Sequence, residues 1–214
     1  YDFLRPENKG KKVYVCNGSA CLCAGTQEGL IEELKERFKP DEIGHMTCLG
    51  RCHENGAFHY AGKNYSALGE GQLDAVLSGG EEMNVDRYAM QSQGESVLMA
   101  EFPGMDSYSA LLKTALAKES SEVLDDVKTA GIRGRGGAGF PMGVKWEFAR
   151  NAESNLKFII CNADEGDPGA YSDRYLLEER PHAVLFGMMI GAYCMKAQWG
   201  VLYIRAEYPE AFPI

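Results

Sequence analysis

Val13-Tyr-Val-Cys16 is a short β-branched and aromatic run that breaks at Asn17-Gly18, the pattern of a strand entering a turn. Thr26 predicts an N-cap for a helix reaching about Phe38, with Leu30, Ile31, Leu34 and Phe38 on one face and Pro40 as the stop. A weak strand is expected over Ile43 to Thr47. Ala57 to Tyr60 and Asn64 to Ser66 read as a hairpin across Ala61-Gly62-Lys63, and Gln72 to Leu77 as a short helix ended by Gly79-Gly80. Residues 81–104 lack sustained periodicity and read mainly as a linker.

A second unit follows. Tyr108 to Ala117 and Ser121 to Thr129 read as helices, the latter ending at Gly131 before a glycine-rich loop. Trp146 to Arg150 begins helically, Lys157 to Cys161 is a buried-type strand, Pro181 to Lys196 a helix and Gly200 to Arg205 another strand. Strand, long helix, strand implies a right-handed crossover in a parallel sheet. The fold class is α/β: a thioredoxin-like layer, ordered β, α, β, β, α, followed by a parallel-sheet unit. The expected boundaries are 1–92, a linker at 93–104, and 105–214.

A length of 214 residues is compatible with two modest domains. The formal charge of -9 disfavours nucleic acid or an anionic membrane as partner, so any bound anion needs a local cluster of donors. The longest apolar run, Ala183 to Met195, is broken by Gly187 and Gly191 and is too short to cross a bilayer. The chain opens at Tyr1 and stops at Ile214 just after a strand-like run, and is expected to be a fragment. Seven cysteines, five of them between Cys16 and Cys52, are unlike a secreted disulfide framework; reduced cytoplasmic thiols or thiolates on metal fit better.

Cys16 and Cys21 enclose four residues and Cys48 and Cys52 enclose three, each pair in a glycine-containing turn after an apolar run. Brought together, the two pairs supply four thiolates, which suit a 2Fe-2S cluster or a tetrahedral zinc. Structural zinc usually prefers two-residue spacing within each pair, which tilts the choice toward iron-sulfur. His53 reads as a surface histidine or a neighbour of the centre rather than a ligand, because four cysteines already satisfy it.

Cys-Asn-Gly-Ser-Ala-Cys-Leu-Cys-Ala-Gly-Thr from Cys16 and Cys-Leu-Gly-Arg-Cys-His-Glu-Asn-Gly from Cys48 resemble the paired signatures of thioredoxin-like 2Fe-2S ferredoxins. Such domains occur as the small subunit of complex I and fused to NADH-binding flavoprotein subunits of hydrogenases and formate dehydrogenases. The 26 residues between Cys21 and Cys48 are fewer than in that family, implying a shortened helix or loop. Cys23 is a competing thiolate; Cys21 keeps the family spacing to Cys16 and Gly25 and is taken as the ligand.

Gly134-Arg-Gly136-Gly-Ala-Gly139 matches G-x-G-x-x-G literally, but it follows a helix rather than a strand, and it lacks the Gly-Lys-Ser/Thr ending of a Walker loop. It does offer unobstructed backbone N–H groups flanked by Arg133, Arg135 and Lys145, a local anion site. The longer string from Gly131 to Trp146 resembles the FMN and NADH loop of the complex I flavoprotein subunit and its relatives, with Met142 where that family usually has threonine. Cys161-Asn-Ala-Asp-Glu-Gly-Asp-Pro-Gly-Ala-Tyr-Ser-Asp-Arg174 and Tyr203-Ile-Arg-Ala-Glu-Tyr208 are similar to the next two blocks of that family, in the same order. Asn162, Asp164 and Glu165 are expected directly after a strand, where open parallel sheets bind ligands. The resemblance implies that Gly134, Arg135, Gly136, Gly137, Lys145, Asn162, Asp164 and Glu165 line FMN. It implies that Phe140 and Asp167 face the nicotinamide nucleotide, and that Cys16, Cys21, Cys48 and Cys52 hold the metal.

The function so implied is a flavin- and iron-sulfur-dependent NAD(P)H oxidoreductase subunit, cytoplasmic or peripheral to a membrane complex. Its expected cofactors are a 2Fe-2S cluster, FMN and NAD or NADP, and its expected partners are other redox subunits carrying iron-sulfur clusters. No catalytic general acid or nucleophile is expected. Two alternatives from other classes are a non-catalytic 2Fe-2S electron-transfer or scaffold module and a zinc-bound thioredoxin-like binding module. Iron and sulfide analysis separates the two candidate thiolates: Cys21→Ser is expected to lose the cluster and Cys23→Ser to keep it. A normal cluster in Cys21→Ser would reverse the assignment.

Overall fold

The computed structural model describes residues 2–67, 69, 71–79, 93–167 and 169–212. The part of the expected linker before residue 93 lies outside the described residues. The described chain packs as two units, each discontinuous in sequence. One comprises Tyr1–Gln91, Asp164–Glu178 and Ile204–Ile214, the other Ser92–Ala163 and Glu179–Tyr203. The fold is mixed α/β.

In the first unit, β1 (Val13–Cys16), β2 (Ile43–Met46), β3 (Ala57–Tyr60) and β4 (Lys63–Ser66) form one sheet in the order β2-β1-β3-β4. β1 and β2 are parallel, with Val13 opposite Ile43 and Cys16 opposite Met46; β3 is antiparallel to both β1 and β4. Val13 and Val15 point to the side covered by α2 (Gln27–Lys35) and α3 (Gln72–Leu77). There they join Leu30, Leu34, Phe58, Leu73 and Val76 in one buried cluster. Cys16, one position out of phase, belongs to a second cluster with Cys21, Met46, Leu49 and Ala57, as the two-residue period of a strand dictates.

The hairpin turn is shorter than the sequence suggests. Ala61 and Gly62 both have positive φ, as a type I′ connection requires, and Lys63 already pairs with Tyr60. Thr26 does precede α2, but its hydroxyl does not cap the helix: it donates to the Cys21 carbonyl at 3.4 Å and accepts the Gly56 N–H at 3.1 Å. A short helix, α1 (Ser19–Ala24), precedes it and carries Cys21; no apolar periodicity announces it.

The second unit contains α4 (Met105–Leu116), α5 (Ser120–Thr129), α6 (Met142–Asn151), β5 (Phe158–Ala163), α8 (Pro181–Met195) and most of β6 (Trp199–Ile204); α7 (Ser172–Glu179) belongs mainly to the first. Val123, Leu124 and Cys194 form its buried centre, flanked by Ala115, Trp146, Ile190 and Tyr193. Two glycines set its close approaches. A β-carbon at Gly143 would lie 3.0 Å from the Lys128 backbone, and one at Gly191 would lie 3.0 Å from both Ile159 and Trp146. β5 and β6 are hydrogen-bonded neighbours. Gln198 donates its N–H to the Lys157 carbonyl at 3.1 Å, so the two strands start side by side and run in the same direction. Among the described residues, no helix is long and apolar enough to cross a membrane.

Candidate functional site

Parallel pairing of β1 and β2 brings Cys16, the last residue of β1, beside Met46, and the chain after each strand turns directly into its cysteine pair. Asn17 donates its N–H to the Met46 carbonyl at 2.6 Å, holding the two exits together. The four expected thiols consequently meet. Cys16 and Cys21 pack in one buried cluster, Cys16 Sγ and Cys48 Cβ both lie against Gly18, and the Sγ atoms of Cys48 and Cys52 are 3.5 Å apart. Cys16, Cys21 and Cys48 are buried, Cys52 is half-buried, and Cys23 is exposed.

Backbone amides support the sulfurs: Gly18 donates to Cys16 Sγ and Gly50 to Cys48 Sγ, each at 3.4 Å. A β-carbon at Gly18 would stand 3.3 Å from Cys16 Sγ and 3.3 Å from Cys48 Cβ, so a side chain there would press on the quartet. Proton sharing divides the four. Cys48 is held low by hydrogen bonds from Cys16 and Cys52, and Cys21 by the bond from Cys16; the donors Cys16 and Cys52 are held high for the same reason. Among the described residues no group of His, Cys, Asp and Glu side chains takes the arrangement of a ready metal-ion site; the Cys48 and Cys52 sulfurs stand at hydrogen-bonding separation.

The acidic block after β5 lies in the same unit. The strand is longer than expected: it runs to Ala163, so Asn162 is an exposed strand residue rather than a loop residue. Asp164 and Glu165 follow it half-buried and Asp167 is exposed. Glu165 has a φ of 40°, a left-handed conformation uncommon for a residue with a side chain. Its carboxylate accepts bonds from the Tyr208 hydroxyl at 2.9 Å and from the Asp173 N–H, and its carbonyl accepts one from Arg205 Nη1 at 2.8 Å. Burial pushes the Glu165 carboxyl up, against the lowering effect of the Asp173 and Tyr208 bonds. Arg205 also pairs with buried Glu207 at 3.4 Å. Asp164, Arg205 and Glu207 line a cleft of about 270 Å³ together with Asp2, Arg5 and Thr47. Tyr208 and Arg174, which the sequence motifs contain but no local pattern marks out, are the largest fully buried side chains of this unit.

The glycine-rich loop belongs to the second unit. Its mouth is closed by an antiparallel bridge between Arg133 and Pro141, with the Gly134 N–H donating to the Phe140 carbonyl at 2.9 Å and the Met142 N–H to the Ile132 carbonyl at 2.9 Å. Arg133 Nη1 reaches across to the Gly139 carbonyl at 2.9 Å, so this arginine braces the loop. Gly134, Arg135, Gly136, Gly137 and Phe140 are exposed at its tip, and Lys145 is exposed one turn into α6. Gly136 and Gly137 have open space where a β-carbon would stand, and Gly137 has a φ of 114°, which only glycine adopts readily.

The raised Glu165 carboxyl has a sign that can be checked. The folded state binds its proton more tightly than the unfolded chain, so this group costs stability as pH rises from the unfolded carboxylate value through the folded one. Glu165→Gln removes that loss while keeping an acceptor for Tyr208. Denaturant unfolding is expected to show the variant gaining on the wild type as pH rises from about 4 to about 7. A difference that shrinks over that range contradicts the burial.

Residues 127–214 match the family model described as the Nuo51 FMN-binding domain. An NADH-quinone oxidoreductase subunit of Escherichia coli (strain K12) is 38% identical over 125 residues, 58% of this chain and 28% of that protein. The NADP-reducing hydrogenase subunit HndC of Solidesulfovibrio fructosivorans is 49% identical over 112 residues, 50% of this chain and 23% of that protein. The alpha subunit of the NAD-reducing hydrogenase HoxS of Cupriavidus necator is 31% identical over an alignment covering 97% of this chain and 39% of the relative. The crystal structure of an NAD+-reducing [NiFe]-hydrogenase in the air-oxidized state contains a chain similar in fold, with a TM-score of 0.76 at 27% identity; the match covers 100% of this chain and 40% of that one. The chain thus spans well under half the length of these relatives. Its C-terminal stretch is similar in sequence to the Nuo51 FMN-binding domain, and its full length is similar in fold to a chain of an NAD+-reducing hydrogenase.

Proposed function

We propose that this chain is the FMN- and 2Fe-2S-carrying part of an NAD(P)H-oxidising flavoprotein subunit, working inside a multi-subunit redox complex with other iron-sulfur subunits. The observation that carries the reading is the meeting of four cysteine sulfurs at the ends of two parallel strands, in one packing unit with the acidic block after β5. Residues 1–92 are read as a thioredoxin-like 2Fe-2S domain, 93–104 as a linker and 105–214 as the N-terminal part of an FMN-binding domain. The mixed sheet with helices on one face is consistent with the first of these. The donor set fits the cluster: Cys16, Cys21, Cys48 and Cys52 are gathered, and backbone amides already point at two of the sulfurs.

The glycine loop fits a flavin phosphate. Its tip exposes backbone N–H groups without side chains, and Arg135 and Lys145 add positive charge in a chain of net charge -9. Asn162 is suited to bond the ring edge, and Asp164 and Glu165 to take hydroxyl groups of the ribityl chain. Phe140 offers an exposed aromatic face, and Asp167 an exposed carboxylate, to a nicotinamide nucleotide. When bound, FMN supplies the exchange between two-electron nicotinamide chemistry and one-electron iron-sulfur chemistry. The protein's own contribution is to hold the groups, orient them and tune them by charge and hydrogen bonds, without a general acid or nucleophile. The names of the relatives support both NAD and NADP as the nucleotide class. A site of action in the cytoplasm, or peripheral to a membrane complex, is part of the proposal.

The test uses the full-length chain purified without air. It is expected to retain flavin and to reduce ferricyanide with NADH or NADPH. The double variant Arg135→Ala, Lys145→Ala is expected to hold flavin at least about tenfold more weakly, a loss of about 1.4 kcal/mol. Flavin-loaded protein without turnover, or undiminished flavin affinity in the double variant, contradicts the proposal.

A further inference from the structure

The Leu49–Gly50 peptide, inside the loop between Cys48 and Cys52, is held on every side. Its N–H donates to Cys48 Sγ at 3.4 Å. Its carbonyl, that of Leu49, accepts from Asn64 Nδ2 at 3.1 Å. The next carbonyl, that of Gly50, accepts from Arg174 Nη1 at 3.3 Å. Gly50 has a φ of 75°, and a β-carbon there would lie 2.5 Å from Cε1 of Tyr208, so the tyrosine ring rests directly on the glycine.

Asn64 is buried and fully engaged. Its Oδ1 meets His59 Nδ1 at 2.8 Å, and its Nδ2 also donates to the Glu207 carbonyl at 2.6 Å. One amide group therefore ties the cysteine loop to the segment that carries Tyr208. The guanidinium of Arg174, only 1% exposed, is paired with Glu178 at 2.8 Å and lies 5.6 Å from the Tyr208 ring centre. The Asn64 bond and the Tyr208 ring act on the peptide unit whose N–H ends on a sulfur, and Arg174 holds the carbonyl of the next one.

We infer that Asn64, with Tyr208 packed over Gly50, is a positioning residue that aims the Gly50 N–H at the Cys48 sulfur and so helps set the reduction potential of the centre held by the four cysteines. The inference rests on the 2Fe-2S reading of those cysteines and adds to it a residue outside both cysteine motifs. The physical basis is general: a hydrogen bond to a ligand sulfur withdraws electron density and favours the reduced, more negative state of a cluster. Polarising the same peptide from its carbonyl end strengthens its N–H as a donor.

The experiment is carried out on the full-length chain prepared without air, with exchangeable-proton couplings measured by electron-nuclear double resonance in H2O and D2O and the potential by a resonance-monitored redox titration. Beside the proton of the Gly18 amide, the wild type is expected to show a strongly coupled exchangeable proton from the Gly50 amide. In Asn64→Leu that coupling weakens, and the reduced-to-oxidised ratio at a fixed potential falls about tenfold, equivalent to about 59 mV for one electron. Asn64→Leu strips the donor from two buried carbonyls and can fail to fold. Tyr208→Leu, which leaves both hydrogen bonds of the peptide in place, is therefore run beside it, with a fall of about threefold expected, or about 28 mV at the same conversion. Cluster-loaded variants that keep the wild-type coupling and ratio overturn the inference while leaving the cluster reading intact. A wild-type protein without iron overturns both.

Discussion

Parallel pairing of β1 with β2 is the constraint on which the rest of the candidate site depends. Cys16 and Cys48 are far apart in sequence, and only a parallel register that ends Cys16 against Met46 makes both chains leave the sheet at the same edge. An antiparallel register would send the two cysteine turns to opposite ends of the strands. The helix between them, α2, is what a parallel connection requires, and its Leu30 and Leu34 bury against Val13 and Val15 to fix that register. A slip of one residue would turn Val13 and Val15 away from the helices and carry Cys16 to the opposite face.

The cysteine loop is not an isolated turn. Residues 164–178 and 204–214 pack in the same unit as the N-terminal sheet. Buried Tyr208 contacts Gly50 with its ring and Glu165 with its hydroxyl, so one side chain touches both the proposed metal loop and the acidic block. Buried charges accompany it. Arg174 is paired with Glu178 at 2.8 Å and more distantly with Glu210 at 3.9 Å, and Arg205 with Glu207 at 3.4 Å, so neither guanidinium is a lone buried charge. Such networks cost desolvation, and their concentration around the Cys48–Cys52 loop suits a site where electrostatics sets function.

Much of this was legible in the sequence because the signals are local. Val13 to Cys16, the Ala57 hairpin and the Gln72 helix announce themselves by alternation, turn residues and periodicity, and the cysteine pairs by their turns. The failures are local signals outvoted by tertiary contacts. Thr26 is a good capping residue, yet its hydroxyl is used by Gly56 and Cys21. Asn162 is disfavoured in strands, but burial of Ala163 draws β5 two residues past Cys161. α1 and α7 are six and eight residues long, too short for apolar spacing to mark them. The role of Asn64 was invisible, because its partners at Leu49 and Glu207 are distant in sequence and both are backbone carbonyls, which no motif encodes.

In the proposed function, four thiols from two turns hold one two-iron centre. Electron paramagnetic resonance of the reduced full-length protein, compared with its Cys48→Ser variant, tests it most directly. The wild type is expected to give the signal of a reduced two-iron centre, and the variant to lose it or change it markedly. A wild type without that signal, or a signal indifferent to Cys48, would contradict it.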